Sequence, residues 1–170
     1  MNKQYLPYCA AFLLAFLIIA PSMVAACVSE DKYQNITVSD AKMMLENVSV
    51  SGENIFILDV RTPAEYSYSH IEGAKLIPLK NVPLHDPVNL SDDKLLPNRM
   101  TDLPEDKYTK IIVYCLSGKR GAIASQMIAD AGYKRVYNMQ DGITAWVNAS
   151  YPVVVDSNSW ANNYPKVTTK

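Results

Sequence analysis

The chain carries, at residues 111–122, the segment Ile111-Ile112-Val113-Tyr114-Cys115-Leu116-Ser117-Gly118-Lys119-Arg120-Gly121-Ala122. Its first four residues form a continuous apolar run, which is typical of a strand buried on both faces of a parallel sheet. Residues 116–119 include Gly118 and predict a tight loop. Apolar side chains then recur on one face over Arg120–Ala131, which predicts a helix that stops at Gly132. The segment thus predicts a strand, a loop and a helix in immediate succession.

Strands and helices are predicted to alternate along the rest of the chain as well. Short apolar runs predict strands at residues 36–38, 55–58, 74–77 and 136–138, and helices are predicted at 40–47, 63–66 and 143–148. Ser39 is the expected N-cap of the first helix. Residues 79–107 contain four prolines and predict a long connection with one helical turn around Ser91–Leu96. The alternation predicts an α/β domain whose mostly parallel β-sheet is flanked by helices on both faces.

The composition fits one globular domain and excludes several other classes of protein. A chain of 170 residues is within the usual range of about 100–200 residues for a domain. Its 16 Lys+Arg against 17 Asp+Glu lack the basic excess that nucleic-acid binding requires, so no nucleic-acid partner is expected. Three cysteines without a CxxC motif or a Cys/His cluster predict neither a disulfide scaffold nor a metal site.

Residues 1–26 have the composition of a signal peptide. Lys3 is the only charge before Glu30, and Ala10–Ala20 is an unbroken apolar run of 11 residues. Spanning a bilayer core takes about 20 residues, so a cleaved signal is favoured over a transmembrane anchor, the alternative interpretation. A cleaved signal places the mature domain outside the cytoplasm.

The end of this segment, Val24-Ala25-Ala26-Cys27, resembles the lipobox of bacterial-type lipoproteins. The resemblance implies that Cys27 becomes the first mature residue and carries a lipid that holds the protein at the cell membrane. Simple cleavage after Ala26, which would leave a secreted protein, stays open. Cys9 would leave with the signal, and a lipidated Cys27 would make Cys115 the only free thiol of the mature chain.

The chain is therefore divided into four parts. Residues 1–26 are the predicted signal peptide, 27–35 an anchor or linker, 36–155 the folded domain and 156–170 a polar C-terminal tail. Four Asn-x-Ser/Thr sequons begin at Asn35, Asn47, Asn89 and Asn148. They would be glycosylation acceptors only in a glycosylating organism, and the sequence does not identify the organism.

Cys115 is the strongest candidate for a catalytic residue. It leaves a buried strand and enters a short loop that opens a helix, so backbone N–H groups and the positive end of the helix dipole can face its sulfur. Lys119 and Arg120 add formal positive charge. These features stabilise a thiolate, the nucleophilic form, and cradle an anion. The alternative is that Cys115 is a small buried hydrophobic residue.

Four segments, in order, resemble signatures of the rhodanese family of sulfurtransferases, and the likeness covers roughly residues 36–154. The first and second are Asp59-Val60-Arg61-Thr62-Pro63-Ala64-Glu65-Tyr66 and His70-Ile71-Glu72-Gly73-Ala74 followed by Ile77-Pro78. The third is the candidate active-site loop, Cys115–Gly121. The fourth is Gly142-Ile143-Thr144-Ala145-Trp146 followed by Tyr151-Pro152-Val153.

The resemblance implies sulfur transfer by ping-pong catalysis. Cys115 would take the outer sulfur of a small anionic donor such as thiosulfate, and a thiol or cyanide-like acceptor would remove it. The persulfide would be stabilised by the backbone N–H groups of the loop, and the anionic donor would be bound by the charges of Lys119 and Arg120. The loop residues are Leu116, Ser117, Gly118, Lys119 and Arg120. No cofactor is implied. A non-catalytic rhodanese-like module that binds a partner or senses redox state stays open as a second hypothesis.

The loop length bears on the choice of reaction. Related phosphatases use Cys-x5-Arg, whereas this chain has Cys-x4-Arg with glycine at position 121. The smaller ring favours sulfur transfer over phosphate chemistry. Leu116 makes the mouth of the loop less polar, which points toward a donor other than thiosulfate.

Several polar residues near the signatures are assigned supporting roles. Asp59 either accepts loop N–H bonds or, as favoured, has a structural role at a strand end. Arg61 and Glu65 are four apart and predict an ion pair, with contact between Arg61 and the substrate as an alternative. Structural roles are expected for His70 and Trp146, and a solvated position for His85. Ser69 and Asp141 stand where the family usually has glycine, which raises a question about local backbone geometry.

Overall fold

The computed structural model describes residues 32–81 and 89–155, and within helix α1 the side chains of residues 49–51 are not described. The predicted signal peptide, Cys27, His85 and the C-terminal tail lie outside the described residues. Across residues 32–81 and 89–155, no helix is long and apolar enough to cross a membrane.

A five-stranded sheet forms the centre of the fold, with strand order β1-β5-β4-β2-β3. All of its strand pairs are parallel, which confirms the predicted α/β class. Ile57 pairs with Ile112 where the central strand meets its neighbour. The strands are β1 Gln34–Ile36, β2 Ile55–Asp59, β3 Lys75–Leu76, β4 Lys110–Tyr114 and β5 Val136–Met139.

Helices cover both faces of the sheet, as predicted. They are α1 Val38–Ser51, α2 Pro63–Tyr68, α3 Lys119–Asp130 and α4 Gly142–Asn148. Because side chains alternate along a strand, Ile111 and Val113 pack with Ile128 of α3 on one face. Ile112 and Tyr114 pack on the other face, with Trp146 of α4. Strand β4 is thus buried on both sides, which explains its continuous apolar sequence.

The start of the domain differs from the prediction. Strand β1 begins at Gln34, within the predicted linker, and α1 begins at Val38 rather than at residue 40. The N-cap is Thr37, not Ser39: its Oγ1 accepts the N–H of Asp40, whose carboxylate accepts the N–H of Thr37. This capping box satisfies the first N–H groups of the helix, so Thr37 outcompetes Ser39.

The described part of the connection before β4, residues 89–107, contains three short 3-10 turns where one helical turn is predicted. They are Asp92–Lys94, Leu96–Asn98 and Met100–Asp102. Leu96 is fully buried in the core on the α3 side, and its N–H donates to the carbonyl of Pro78. Leu96 and the buried Leu103 therefore anchor this part of the connection to the core.

The two positions where glycine is usual in the family tolerate other residues. Ser69 has φ −167° and ψ 143°, an extended backbone, and Asp141 has φ −100°. Neither lies in the left-handed region that favours glycine. Ser69 and Asp141 therefore adopt ordinary backbone conformations that do not require glycine.

Candidate active site

Cys115 follows the central strand β4 directly and stands at its carboxyl end. In parallel α/β sheets, ligands bind at this edge. The residue is buried, and α3 begins only four positions later, at Lys119. A strand and a helix of the same segment thus fix both ends of the loop that carries the thiol.

The loop rests on the start of α4. The N–H groups of Ile143 and Thr144 donate to the carbonyls of Cys115 and Leu116, at 2.9 and 3.2 Å. The Thr144 hydroxyl also donates to the Leu116 carbonyl, at 2.8 Å. With these carbonyls held outward, the loop backbone has little freedom to move away from the thiol.

Gly118 allows the loop to close. Its φ is +83°, and a Cβ at this position would lie 1.6 Å from the carbonyl oxygen of Gln140. Gly118 is also the N-cap of α3, and no side chain of residues 32–81 or 89–155 caps this helix. The first N–H groups of α3 therefore lack the usual partners at the end that adjoins the thiol, which suits the binding of a sulfur anion.

The two cations of the loop have different surroundings. Lys119 is exposed. Arg120 is largely buried and holds Glu65 of α2 with two nitrogens, Nη1 at 2.8 Å and Nη2 at 2.6 Å from the two carboxylate oxygens. Arg120 and Glu65 therefore neutralise each other at the edge of the site.

The Arg120–Glu65 pair is electrostatically stable. Burial opposes ionisation of Glu65, but hydrogen bonds from Arg120 and from the Thr62 N–H outweigh it, and the pKa of Glu65 falls below its usual value. The bond to Glu65 raises the pKa of Arg120, and the nearby Cys115 sulfur acts in the same direction. Arg120 therefore stays charged in its pair with Glu65.

Asp59 and Arg61 form a buried ion pair beneath the site. Their side chains are 0% and 2% exposed. The guanidinium Nε lies 3.0 Å from both Asp59 oxygens, and Nη2 lies 2.6 Å from one of them and 2.6 Å from the carbonyl oxygen of Ser69. The predicted ion pair between Arg61 and Glu65 is wrong, because Arg61 precedes helix α2 and points back to the end of β2. Both observed partners of the Arg61 guanidinium are therefore protein groups, the Asp59 carboxylate and the Ser69 carbonyl.

A match to a known family covers most of this domain. The model of the rhodanese-like domain matches residues 37–149. The chain belongs to the rhodanese-like domain family. It is 32% identical over 134 residues to "Thiosulfate sulfurtransferase 18" of Arabidopsis thaliana, covering 76% of this chain and 90% of that protein.

Two further comparisons agree with this membership. A "Sulfurtransferase" from Allochromatium vinosum is 32% identical over 102 residues, which are 60% of this chain and 80% of that protein. The crystal structure of a rhodanese-related protein from Thermoplasma volcanium matches with a TM-score of 0.53 and 26% identity, covering 72% of this chain and 99% of that chain. Sulfurtransferases among the relatives support a sulfur-transfer activity at the level of the family.

His70 and Trp146, for which structural roles are expected, both make packing and backbone contacts. The ring of His70 stacks on Tyr66 with centroids 3.9 Å apart, and its backbone pairs with Val154. Trp146 is buried, and its indole N–H donates to the Pro152 carbonyl at 2.9 Å. In the described parts of the chain, no group of three His, Cys, Asp or Glu residues is placed to hold a metal ion.

Glu65 is the site residue whose contact the sequence did not reveal. One signal was available: Thr62 and Glu65 have the spacing of a capping box, and the Thr62 N–H donates to Glu65 at 2.9 Å. That spacing places Glu65 on the first turn of α2, but its contact with Arg120 joins segments 55 residues apart and could not be read from the sequence.

Replacing Gly118 with alanine is expected to slow sulfur loading of the rhodanese-like domain by about a hundredfold or more, because displacement of a reacting group by about 1 Å has that effect. The added Cβ must move either the loop or the Gln140 backbone. The rate of sulfur loading from thiosulfate measures the effect. Gly73→Ala is the matched control, since Gly73 has φ +76° with nothing within 4 Å of an added Cβ. Equal rates for the two variants would contradict the close approach described above.

Proposed function

We propose that the protein transfers a sulfane sulfur from an anionic donor such as thiosulfate to a thiophilic acceptor through a persulfide on Cys115. The observation that carries the proposal is the position of Cys115 at the carboxyl end of β4, four residues before the start of an uncapped helix. A free thiol there adjoins backbone N–H groups and the cations Lys119 and Arg120. The sulfurtransferase relatives support the same class of reaction.

The reaction has two half-reactions. In the first, the Cys115 thiolate attacks the outer sulfur of thiosulfate, the donor S–S bond breaks, and sulfite leaves with the electron pair. The first N–H groups of α3 stabilise the terminal sulfur of the persulfide. In the second, an acceptor thiolate or cyanide attacks that terminal sulfur, and the electron pair returns to Cys115. Lys119, which is exposed at the loop, attracts the anionic donor.

The geometry around Gly121 argues against the phosphatase alternative. A phosphatase-type loop would need an arginine at this position. Gly121 is buried, and a Cβ on it would lie 2.4 Å from Oδ1 of Asn138. Asn138 is itself buried in β5, with its Nδ2 bonded to Asn35. An arginine at position 121 would therefore have to displace the Asn138 side chain.

Steady-state kinetics with thiosulfate and cyanide test the proposal. The full-length protein is expected to form thiocyanate with parallel lines in double-reciprocal plots, the pattern of a ping-pong mechanism. A redox-sensing module would accept sulfur without passing it on, and a phosphatase would hydrolyse aryl phosphates instead. Either of these results would overturn the proposal.

We also propose that the protein acts outside the cytoplasm, held at the cell membrane by a lipid on Cys27. The support is the pattern of residues 1–27 alone. Growth with an alkyne-tagged fatty acid is expected to label the protein, and Cys27→Ser is expected to abolish the label. Labelling that persists in the variant would contradict the lipid position.

A further inference from the structure

We infer that a basic pocket at the amino ends of strands β1 and β5 binds the anionic headgroups of the membrane that carries the protein. This inference rests on the membrane attachment proposed above and adds the surface with which the domain lies on the bilayer. Three features of the pocket support it: its charge, its position at the start of the domain, and its distance from Cys115.

The pocket has a volume of about 130 Å³ and a strongly basic lining. The described residues that line it include three cations, Lys32, Lys134 and Arg135, and no acidic residue. Two tyrosines, Tyr33 and Tyr137, complete its polar character. A phosphate diester has the charge and the acceptor oxygens that ammonium and guanidinium donors bind.

The three cations are available to an incoming anion. Lys134 is exposed, and its ammonium group has no acceptor within residues 32–81 and 89–155. Lys32 pairs with Asp130 at 3.0 Å, but both side chains are more than half exposed. Arg135 pairs at 2.9 Å with Glu53, a carboxylate that also binds a second lysine. Such exposed pairs contribute little to stability, so a phosphate group replaces these carboxylates at low cost.

The pocket lies beside the point where the chain enters the domain. Lys32 is the first described residue and part of the lining. It follows Cys27, the proposed lipid position, by five residues, and an extended chain covers at most about 18 Å over that length. A tether this short gives the pocket a high effective concentration of headgroups, so a weak affinity is enough for docking. Tyr33 and Tyr137 suit this location, because tyrosine is enriched at the headgroup level of membranes.

Cys115 lies at the opposite edge of the sheet. Val136, which lines the pocket, pairs with Ile111 of β4. Cys115 comes four positions after Ile111 in the same direction, a rise of about 13 Å along a parallel strand. A domain docked through the pocket therefore points its active-site loop away from the bilayer, into the aqueous phase.

Acetylation of individual lysines, followed by peptide mass spectrometry, tests the docking. The full-length protein is mixed with excess vesicles of phosphatidylcholine alone, or of equal amounts of phosphatidylcholine and phosphatidylglycerol. Lys134 is expected to react about tenfold more slowly on the anionic vesicles, because each cation near such a surface adds to the attraction. Concentrated salt is expected to remove this protection. Lys119, which is exposed at the active-site loop, is expected to react equally on both kinds of vesicle.

A pair of double variants assigns the protection to the pocket. Lys134→Gln/Arg135→Gln removes two of the three cations, and Lys32 is then expected to react equally on both kinds of vesicle. In the wild type, Lys32 is expected to react about fivefold more slowly on the anionic vesicles. Lys75→Gln/Lys94→Gln is the matched control, since it removes two exposed cations outside the pocket. This control is expected to keep the protection of Lys32.

The outcomes separate docking from membrane attachment. Equal acetylation of Lys134 on both kinds of vesicle in the wild type would overturn the docking. Protection of Lys134 by glycerol phosphate on phosphatidylcholine vesicles would assign the pocket to a soluble phosphate and would overturn the docking as well. Attachment is measured separately, as the protein that stays on washed phosphatidylcholine vesicles. Protein that washes off would contradict the attachment through residues 1–27, and the acetylation rates, measured before washing, would still decide the docking.

Discussion

Replacing Cys115 with alanine is expected to reduce the formation of thiocyanate from thiosulfate and cyanide by at least about a thousandfold, the scale on which loss of a nucleophile acts. The reason is that the persulfide can form on no other atom of the loop. The fold is expected to survive, because the change removes one buried sulfur atom from a cluster that includes Val113, Ala124 and Ile128. The rate of thiocyanate formation is the measurement.

Ser125→Ala is the matched control for this experiment. Ser125 lies on α3, is fully buried, and its Oγ has no hydrogen-bond partner among the described residues. The control also removes a single buried atom, yet it is expected to leave the rate and the stability unchanged or slightly raise the stability. Residual activity of Cys115→Ala at more than a tenth of the wild-type rate would show that another residue carries the chemistry.

Replacing Arg61 with methionine is expected to lower the free energy of unfolding by about 3–5 kcal/mol. The substitution leaves the Asp59 carboxylate, which is 0% exposed, buried without its partner. It also removes the donor that satisfies the Ser69 carbonyl at 2.6 Å, and the guanidinium that lies 5.5 Å from the centroid of the Tyr114 ring. Urea denaturation followed by circular dichroism measures the change.

Arg99→Met provides the comparison. Arg99 also pairs with an aspartate, Asp102, but the two side chains are 27% and 32% exposed. Such a pair contributes at most about 1 kcal/mol. Asp59→Asn/Arg61→Met is expected to recover part of the stability, since the uncompensated charge is then gone. A loss in Arg61→Met no larger than in Arg99→Met would contradict the structural role of the buried pair.

The sequence predicted the structure best where the local residue pattern matches the burial imposed by the tertiary fold. The run 111–114 is apolar at every position because β4 is the central strand and is covered on both faces. A tight loop and a helix follow within the same segment, so the position of Cys115 could be predicted. The prediction of α3 differs from the structure by one residue at each end: the predicted helix is Arg120–Ala131, and the observed helix is Lys119–Asp130.

Prediction failed where short elements depend on distant partners. Strand β1 has only three residues, of which Gln34 and Asn35 are exposed, so it carries no apolar pattern and forms through pairing with β5. Arg61 and Glu65 have the spacing of a helical ion pair, yet α2 begins after Arg61, at Pro63. The true partners, Asp59 for Arg61 and Arg120 for Glu65, follow from the end of a strand and from tertiary packing.

The intact mass of the full-length protein before and after incubation with thiosulfate, combined with peptide mapping, tests the persulfide most directly. The predicted result is a gain of one sulfur atom, located on the peptide that contains Cys115 and removed by cyanide as thiocyanate. No gain with either thiosulfate or polysulfide would contradict sulfur transfer and favour a rhodanese-like module that binds a partner.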